Sequence, residues 1–296
     1  MTEILRKEIR IASKETLSYR EREGGKDILV LIHGNMSSSR SFDLLMETID
    51  PAFTIYAVDM RGFGNSSYFS KVSSIKDLSN DIEGFRKALK IDTFHLLGWS
   101  LGGNVAMQYT LDHQAHVKTL VLLSSGPASG MPVHKRTFYN LIKTKTLIKD
   151  LDEMRDAVSF IESLKLKNNY PMLKRLLLKA IYTAHKPPKG RLNFYVREMA
   201  MQRNLAEVNM AISTFNITNT HNGLVEGTNQ AKKITVPTFV IHGTKDKIVK
   251  KDQALKIKQA IGDNAVLHLI KGGDHALMVG TLTQLNSLLE TMLLNS

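Results

Sequence analysis

Apolar and charged residues take turns over Lys7 to Ala12 and Thr16 to Arg22, the pattern of an antiparallel pair at the edge of a sheet. Further along, the alternation gives way to nearly unbroken, β-branched apolar runs at Ile28–Ile32, Phe53–Val58, Phe94–Leu97 and Leu120–Leu123. Between these runs, Phe42 to Ile49, Ser74 to Leu89 and Leu101 to about Leu111 read as helices. Strands that are apolar on both sides need helices on both sides, which is the situation of a parallel sheet. Two more such strands, Pro237–Ile241 and Ala265–Ile270, each precede a helix near the end of the chain. The pattern predicts an α/β architecture, a doubly wound and mostly parallel sheet of about eight strands.

The middle of the chain has a different period. Leu147, Leu151, Met154, Val158 and Ile161 recur at steps of four and three, the stripe of an amphipathic helix. Met172 to Tyr182 and Phe194 to Phe215 give two more helical stretches, separated by Pro171 and by Lys186-Pro187-Pro188-Lys189-Gly190. The expected organisation is therefore a core of residues 1–125 and 234–296, with a helical cap of residues 126–233 inserted after the sixth strand. Charge sharpens that division. Residues 1–125 balance 15 basic against 15 acidic side chains, whereas 126–233 carry 18 against 8 and so hold most of the net +12. Such an excess either keeps helices soluble or attracts an anionic partner: a lipid or coated-granule surface, or an acidic substrate. No dedicated nucleic-acid motif accompanies it, and nucleic acid is not an expected partner.

Other classes fall away on composition. A chain of 296 residues that is 43% hydrophobic can bury one large α/β core. Its lack of cysteine excludes disulfides, thiolate zinc sites, iron–sulfur clusters and a cysteine nucleophile. Charges from Glu3 onward are unlike a signal sequence, and no apolar run approaches the ~18 residues of a membrane helix, so the expected location is cytoplasmic.

The candidate chemistry lies at Gly98-Trp99-Ser100-Leu101-Gly102, where an apolar run meets a helix. A Gly-x-Ser-x-Gly match alone means little, since about 0.1 are expected by chance in a chain this long. Its setting means more: a serine on a tight strand-to-helix turn presents its hydroxyl above the sheet, beside the free amides of a helix N-terminus. That hydroxyl needs a base, and the base needs an acid to orient it. Asp246 follows the strand ending at His242, and His275 follows the strand ending at Ile270, in the chain order a nucleophile elbow calls for. His33, His95 and His242 fall on strands, His113 and His116 at a helix end, and His134, His185 and His221 in the inserted segment. Asp274 competes with Asp246 but is next in sequence to His275, badly placed to reach its Nδ1. The oxyanion calls for two amides. One is that of Leu101; the second belongs to the loop His33-Gly34-Asn35-Met36, with Asn35 the first choice and Met36 the runner-up. Asn35 and Trp99 are also candidate substrate contacts, although Trp99 reads equally well as packing beneath the site. Six of the 13 methionines lie in 126–233, which suits either an adaptable acyl pocket or ordinary helix packing.

His33-Gly34, the run Asp59-Met60-Arg61-Gly62-Phe63-Gly64-Asn65-Ser66, the elbow at Ser100, Asp246 and His275 together resemble the α/β hydrolase superfamily over the whole chain. The resemblance implies that Asp59 and Arg61 belong to a structural loop. DMRGFGNSSYFSKVSSIKDLSNDI, GWSLGGNVAMQY and the stretch Leu123 to Pro132 are further similar to bacterial intracellular polyhydroxybutyrate depolymerases and small carboxylesterases. What this implies is hydrolysis of carboxylic esters, short-chain hydroxyacyl esters among them, through an acyl-enzyme and without metal or organic cofactor. Lactonase, thioesterase, perhydrolase and C–C hydrolase chemistry use the same three residues, and a ligand receptor that retains them is a reading of another class.

Overall fold

The computed structural model describes residues 3–137, 142–188 and 190–294. In chain order the elements are β1 (Ile4–Arg10), β2 (Thr16–Arg22), β3 (Asp27–Ile32), α1 (Asp43–Thr48), β4 (Phe53–Val58), α2 (Ile75–Ala88), β5 (Phe94–Trp99), α3 (Leu101–His113) and β6 (Val117–Leu123). An insertion then supplies β7 (His134–Thr137), β8 (Ile142–Leu147), α4 (Leu151–Leu166), α5 (Tyr170–Ala180), α6 (Arg191–Ala200) and α7 (Leu205–Thr214). The chain finishes with β9 (Thr238–Gly243), α8 (Lys251–Ile261), β10 (Ala265–Ile270), α9 (Leu277–Gly280) and α10 (Leu282–Leu293).

Eight strands form one sheet in the order β1-β2-β4-β3-β5-β6-β9-β10. Only the β1–β2 and β2–β4 pairings are antiparallel; the others are parallel. The apolar runs explain why both faces are covered. Along β3, Val30 and Ile32 enter one cluster with Leu78 and Ile82 of α2, Val105 of α3 and Ile257 of α8. Leu29 and Leu31, pointing the other way, join Phe42, Leu45 of α1 and Leu285 of α10. α2 starts sharply because Ser74 caps it and Asp77 returns the bond to the Ser74 amide, a capping box.

The insertion differs from the all-helical expectation. β7 and β8 form an antiparallel hairpin, so Thr144 and Lys145 lie on a strand rather than a helix. The alternation of Thr with Lys in IKTKTL is the strand signal there. The single stretch expected over Phe194 to Phe215 is two helices, α6 and α7, broken at Gln202 and Asn204. Both side chains are buried and bond to loops of the core, contacts that a continuous helix would not supply. α5 begins as Pro171 predicts, capped by Asn169. Lys189, part of the expected break before α6, lies outside the described residues.

α6 holds the insertion to the core. Glu198 accepts from Arg40 Nε (2.6 Å) and Arg20 Nη2 (3.2 Å) and meets the Ser38 hydroxyl. Arg191 pairs with Asp43 (2.8 Å) and Glu47 (2.7 Å). Among the described residues, no helix is long and apolar enough to cross a membrane.

Candidate active site

β5 delivers Ser100 into a backbone conformation, φ 55° and ψ −121°, that L residues avoid. Such strain costs on the order of 1–3 kcal/mol and survives only where its surroundings over-determine it. Here the Ser100 N–H donates to Leu123 O (3.1 Å), and Ser100 O accepts from the amides of Gly103 and Gly126 (both 2.9 Å). The flanking glycines are steric requirements. A Cβ on Gly98 would lie 2.2 Å from Gly102 O, and one on Gly102 would lie 2.1 Å from Ile32 O.

The two downstream candidates meet. His275 Nδ1 donates to Asp246 Oδ2 at 2.7 Å, with side chains only 2% and 0% exposed. Asp246 Oδ1 accepts from the amides of Ile248 (2.8 Å) and Val249 (3.0 Å), so the carboxylate is held at both oxygens. Burial opposes its ionisation, but the bond and charge of His275, with the Val249 amide, outweigh burial and hold Asp246 below the usual carboxylate range. Asp274 is committed elsewhere: Oδ2 accepts from the amides of Ala184 (2.8 Å) and His185 (3.2 Å) in the insertion, and Oδ1 from that of Ala276.

The three rival histidines on strands, His33, His95 and His242, are buried, and burial lowers each of them. His33 Nδ1 donates to Gly34 O (2.7 Å) while Nε2 accepts from the Met60 amide (3.1 Å), which fixes a neutral tautomer that burial reinforces. Burial pushes His95 down to about 4. His242, also lowered chiefly by burial, places Nε2 2.9 Å from Val249 O and 3.4 Å from Asp246. Asp59 and Arg61 are architecture: Asp59 accepts from the amides of Ser39 (2.7 Å) and Asn65 (3.0 Å), and Arg61 grips Asp81 at 2.7 and 3.0 Å.

Ser100, Leu101, Asn35 and His275 line one cavity of about 360 Å³, roofed from the insertion by residues such as Ile161, Leu176, Ile181, Met199 and Ile212. Met131 and Met199 are the two insertion methionines in its wall, whereas Met154 packs inside the insertion. The expectation that Trp99 contacts substrate is corrected. The ring is 1% exposed and lies below the cavity, 5.5 Å from the His275 ring, and Nε1 donates to His275 O at 2.8 Å. The indole, buried at the end of β5, is thereby tied to the backbone of the histidine loop. Of the two loop amides weighed for the oxyanion, that of Met36 is already spent on Asn35 Oδ1 and Gln202 Oε1, both at 3.0 Å. Among the described residues the Asn35 and Leu101 amides have no protein acceptor. Gln202 and Asn209, which bind the Asn35 side chain, were beyond sequence reasoning, because 167 and 174 residues separate them from it.

Residues 27–281 match the family model described as alpha/beta hydrolase fold. The chain belongs to the α/β hydrolase family. This α/β hydrolase is 24% identical over 267 residues to the AB hydrolase superfamily protein YisY of Bacillus subtilis, covering 88% of this chain and 89% of that one. Over a shorter span, 36% of the chain and 41% of the relative, it is 33% identical to the pimeloyl-[acyl-carrier protein] methyl ester esterase of Aeromonas hydrophila. Among solved structures it is similar to the esterase EaEST of Exiguobacterium antarcticum, at TM-score 0.74 and 18% identity over 97% of this chain and 98% of that one. A thermophilic esterase of Thermogutta terrifontis gives TM-score 0.74 and 15% identity, with 98% of each chain covered.

Proposed function

We propose that the protein is a serine hydrolase of carboxylic esters that works through an acyl-enzyme. The observation that carries the reading is the 2.7 Å bond from His275 to buried Asp246, with His275 and Ser100 in the wall of one apolar cavity. In this mechanism His275 Nε2 takes the Ser100 proton as Oγ attacks the ester carbonyl. The carbonyl electron pair moves onto oxygen, which the Leu101 and Asn35 amides receive. Collapse expels the alcohol, protonated by His275, and leaves Ser100 acylated. Water, deprotonated by the same imidazole, then releases the acid and restores the serine, while Asp246 holds the Nδ1–H tautomer and offsets the imidazolium charge. The chemistry requires no metal or organic cofactor.

The apolar walls suit a short or medium acyl chain. The likeness to polyhydroxybutyrate depolymerases makes oligomeric hydroxyacyl esters the first substrates to try, and the esterase names of several relatives support ester cleavage. Wild type and Ser100→Ala should be compared on p-nitrophenyl esters of graded length, a lactone, a thioester and amorphous polyhydroxybutyrate. Steady turnover that vanishes in Ser100→Ala is expected. A single slow burst would favour the receptor, and no Ser100-dependent cleavage of any of them overturns the reading.

The insertion's charge has a companion observation. Lys149, Lys167, Arg175 and Arg197 are exposed there, as are Phe160 and Leu166. We propose that this segment approaches an anionic lipid or granule surface. Binding to anionic vesicles should then weaken as salt rises, and salt-independent binding would refute the electrostatic contribution.

A further inference from the structure

The loop at the floor of the cavity is held from above by the insertion. Met36 has φ 52°, a left-handed conformation that a non-glycine side chain adopts at a cost. A chain of side-chain amides fixes it there. Asn204 Nδ2 donates to Arg61 O (2.8 Å), which leaves Asn204 Oδ1 to accept from Gln202 Nε2 (3.1 Å). Gln202 Nε2 also donates to Asn35 Oδ1 (2.8 Å), and Gln202 Oε1 accepts from the Met36 amide (3.0 Å). Asn35 Oδ1 accepts from that same amide (3.0 Å), and Asn35 Nδ2 donates to Asn209 Oδ1 (3.0 Å). The Arg61 carbonyl can only accept, so it sets the orientation of Asn204, which sets that of Gln202 and then that of Asn35. Gln202 and Asn204 are 2% and 0% exposed, which removes competition from water and makes each bond expensive to lose.

We propose that Gln202 is a positioning residue that aims the Asn35 backbone N–H at the oxyanion, with Asn209 assisting from the cavity wall. The proposal rests on the hydrolase reading above. It makes the oxyanion site a joint product of core and insertion: Asn35 carries the amide, and the break between α6 and α7 supplies the groups that orient it. Gln202 takes the Met36 N–H and grips the Asn35 side chain, so that the residue on either side of the Asn35 carbonyl is constrained. Asn209 lines the cavity beside Asn35, so the ligand and the oxyanion loop share one wall.

Gln202→Met keeps the length of the side chain and removes both of its hydrogen-bonding atoms. Wild type, Gln202→Met and Asn209→Ala should be measured on one p-nitrophenyl ester and against a trifluoromethyl ketone, to which Ser100 adds so that the carbonyl oxygen becomes an oxyanion. For Gln202→Met the expectation is a fall in kcat of about tenfold or more with KM within about twofold, and a matching loss of ketone affinity. Asn209→Ala should show the same pattern at smaller size and serves alone if Gln202→Met does not fold. A merely structural joint between insertion and core would lower thermal stability without moving kcat and ketone affinity together. Folded variants with wild-type kcat and ketone affinity overturn the positioning role alone. Wild type without Ser100-dependent turnover overturns the hydrolase reading and this role with it.

Discussion

Replacing Asp246 by Asn tests the site at the point where its geometry is best defined. The Asn carbonyl oxygen can still accept from the Ile248 and Val249 amides, so the loop should keep its shape. The other end of the amide then presents N–H to His275 Nδ1 in place of a carboxylate. Two donors cannot face each other at that distance, so the imidazole must move its proton to Nε2, the atom that in the proposed mechanism accepts from Ser100. The imidazolium that forms later also loses its counter-charge. At 2.7 Å and an effective dielectric of about 20, that attraction is roughly 6 kcal/mol. Converted to rate, it corresponds to about 10⁴-fold. His242 offers no rescue, because its Nε2 is committed to Val249 O at 2.9 Å. A fall in kcat of about 10³ to 10⁴ is therefore expected on the best p-nitrophenyl ester, with near-ultraviolet circular dichroism unchanged. A folded Asp246→Asn variant within tenfold of wild type would refute the argument, since the 2.7 Å bond would then be structural only.

Three other changes probe the scaffold. Trp99→Phe keeps an aromatic ring but removes the donor to His275 O; a loss of about 1 kcal/mol and a kcat several-fold lower are expected, and unchanged values of both would show that the bond does not hold the histidine loop. Ser100→Gly should abolish turnover while relieving a left-handed non-glycine backbone, so the melting temperature should rise by a few degrees; a fall would mean that the strain is smaller than the entropy glycine adds to the unfolded chain. Glu83 is buried, which opposes its ionisation, but bonds from Arg86, Tyr109 and Lys87 hold its carboxyl at about 2, below the ordinary 4.5. A depressed folded-state value means stability that is present above about pH 4.5 and lost as pH falls toward 2. After allowance for solvent screening, Glu83→Gln should flatten the pH dependence of the unfolding free energy, read from urea titrations, by an amount on the order of 1–2 kcal/mol over that window; an unaltered slope would refute the assignment.

The apolar runs determined most of the sheet on their own. A strand covered on both faces must be apolar on both sides, and only a few ways exist to wind such strands with helices between them, so the order of elements was legible in the linear pattern. Ser100, Asp246 and His275 were legible as candidates for a related reason: each follows an apolar run, and the end of a parallel strand is where a side chain can stand above the sheet. Local pattern failed where partners are distant. The split between α6 and α7 follows from Gln202 and Asn204 bonding to Asn35 and Arg61, more than 140 residues away, and no helical period encodes that. Trp99 reads alike whether a cavity or a core lies beside it, and the neighbouring layers put it beneath His275. The choice between the Asn35 and Met36 amides likewise waited on Gln202, because the direction of a backbone N–H depends on which acceptors the folded chain brings to it. Sequence by itself thus set which residues could do the chemistry, through burial and turn requirements that act locally. Tertiary structure alone decided how they are aimed, because hydrogen bonds are directional and many of their partners come from distant parts of the chain.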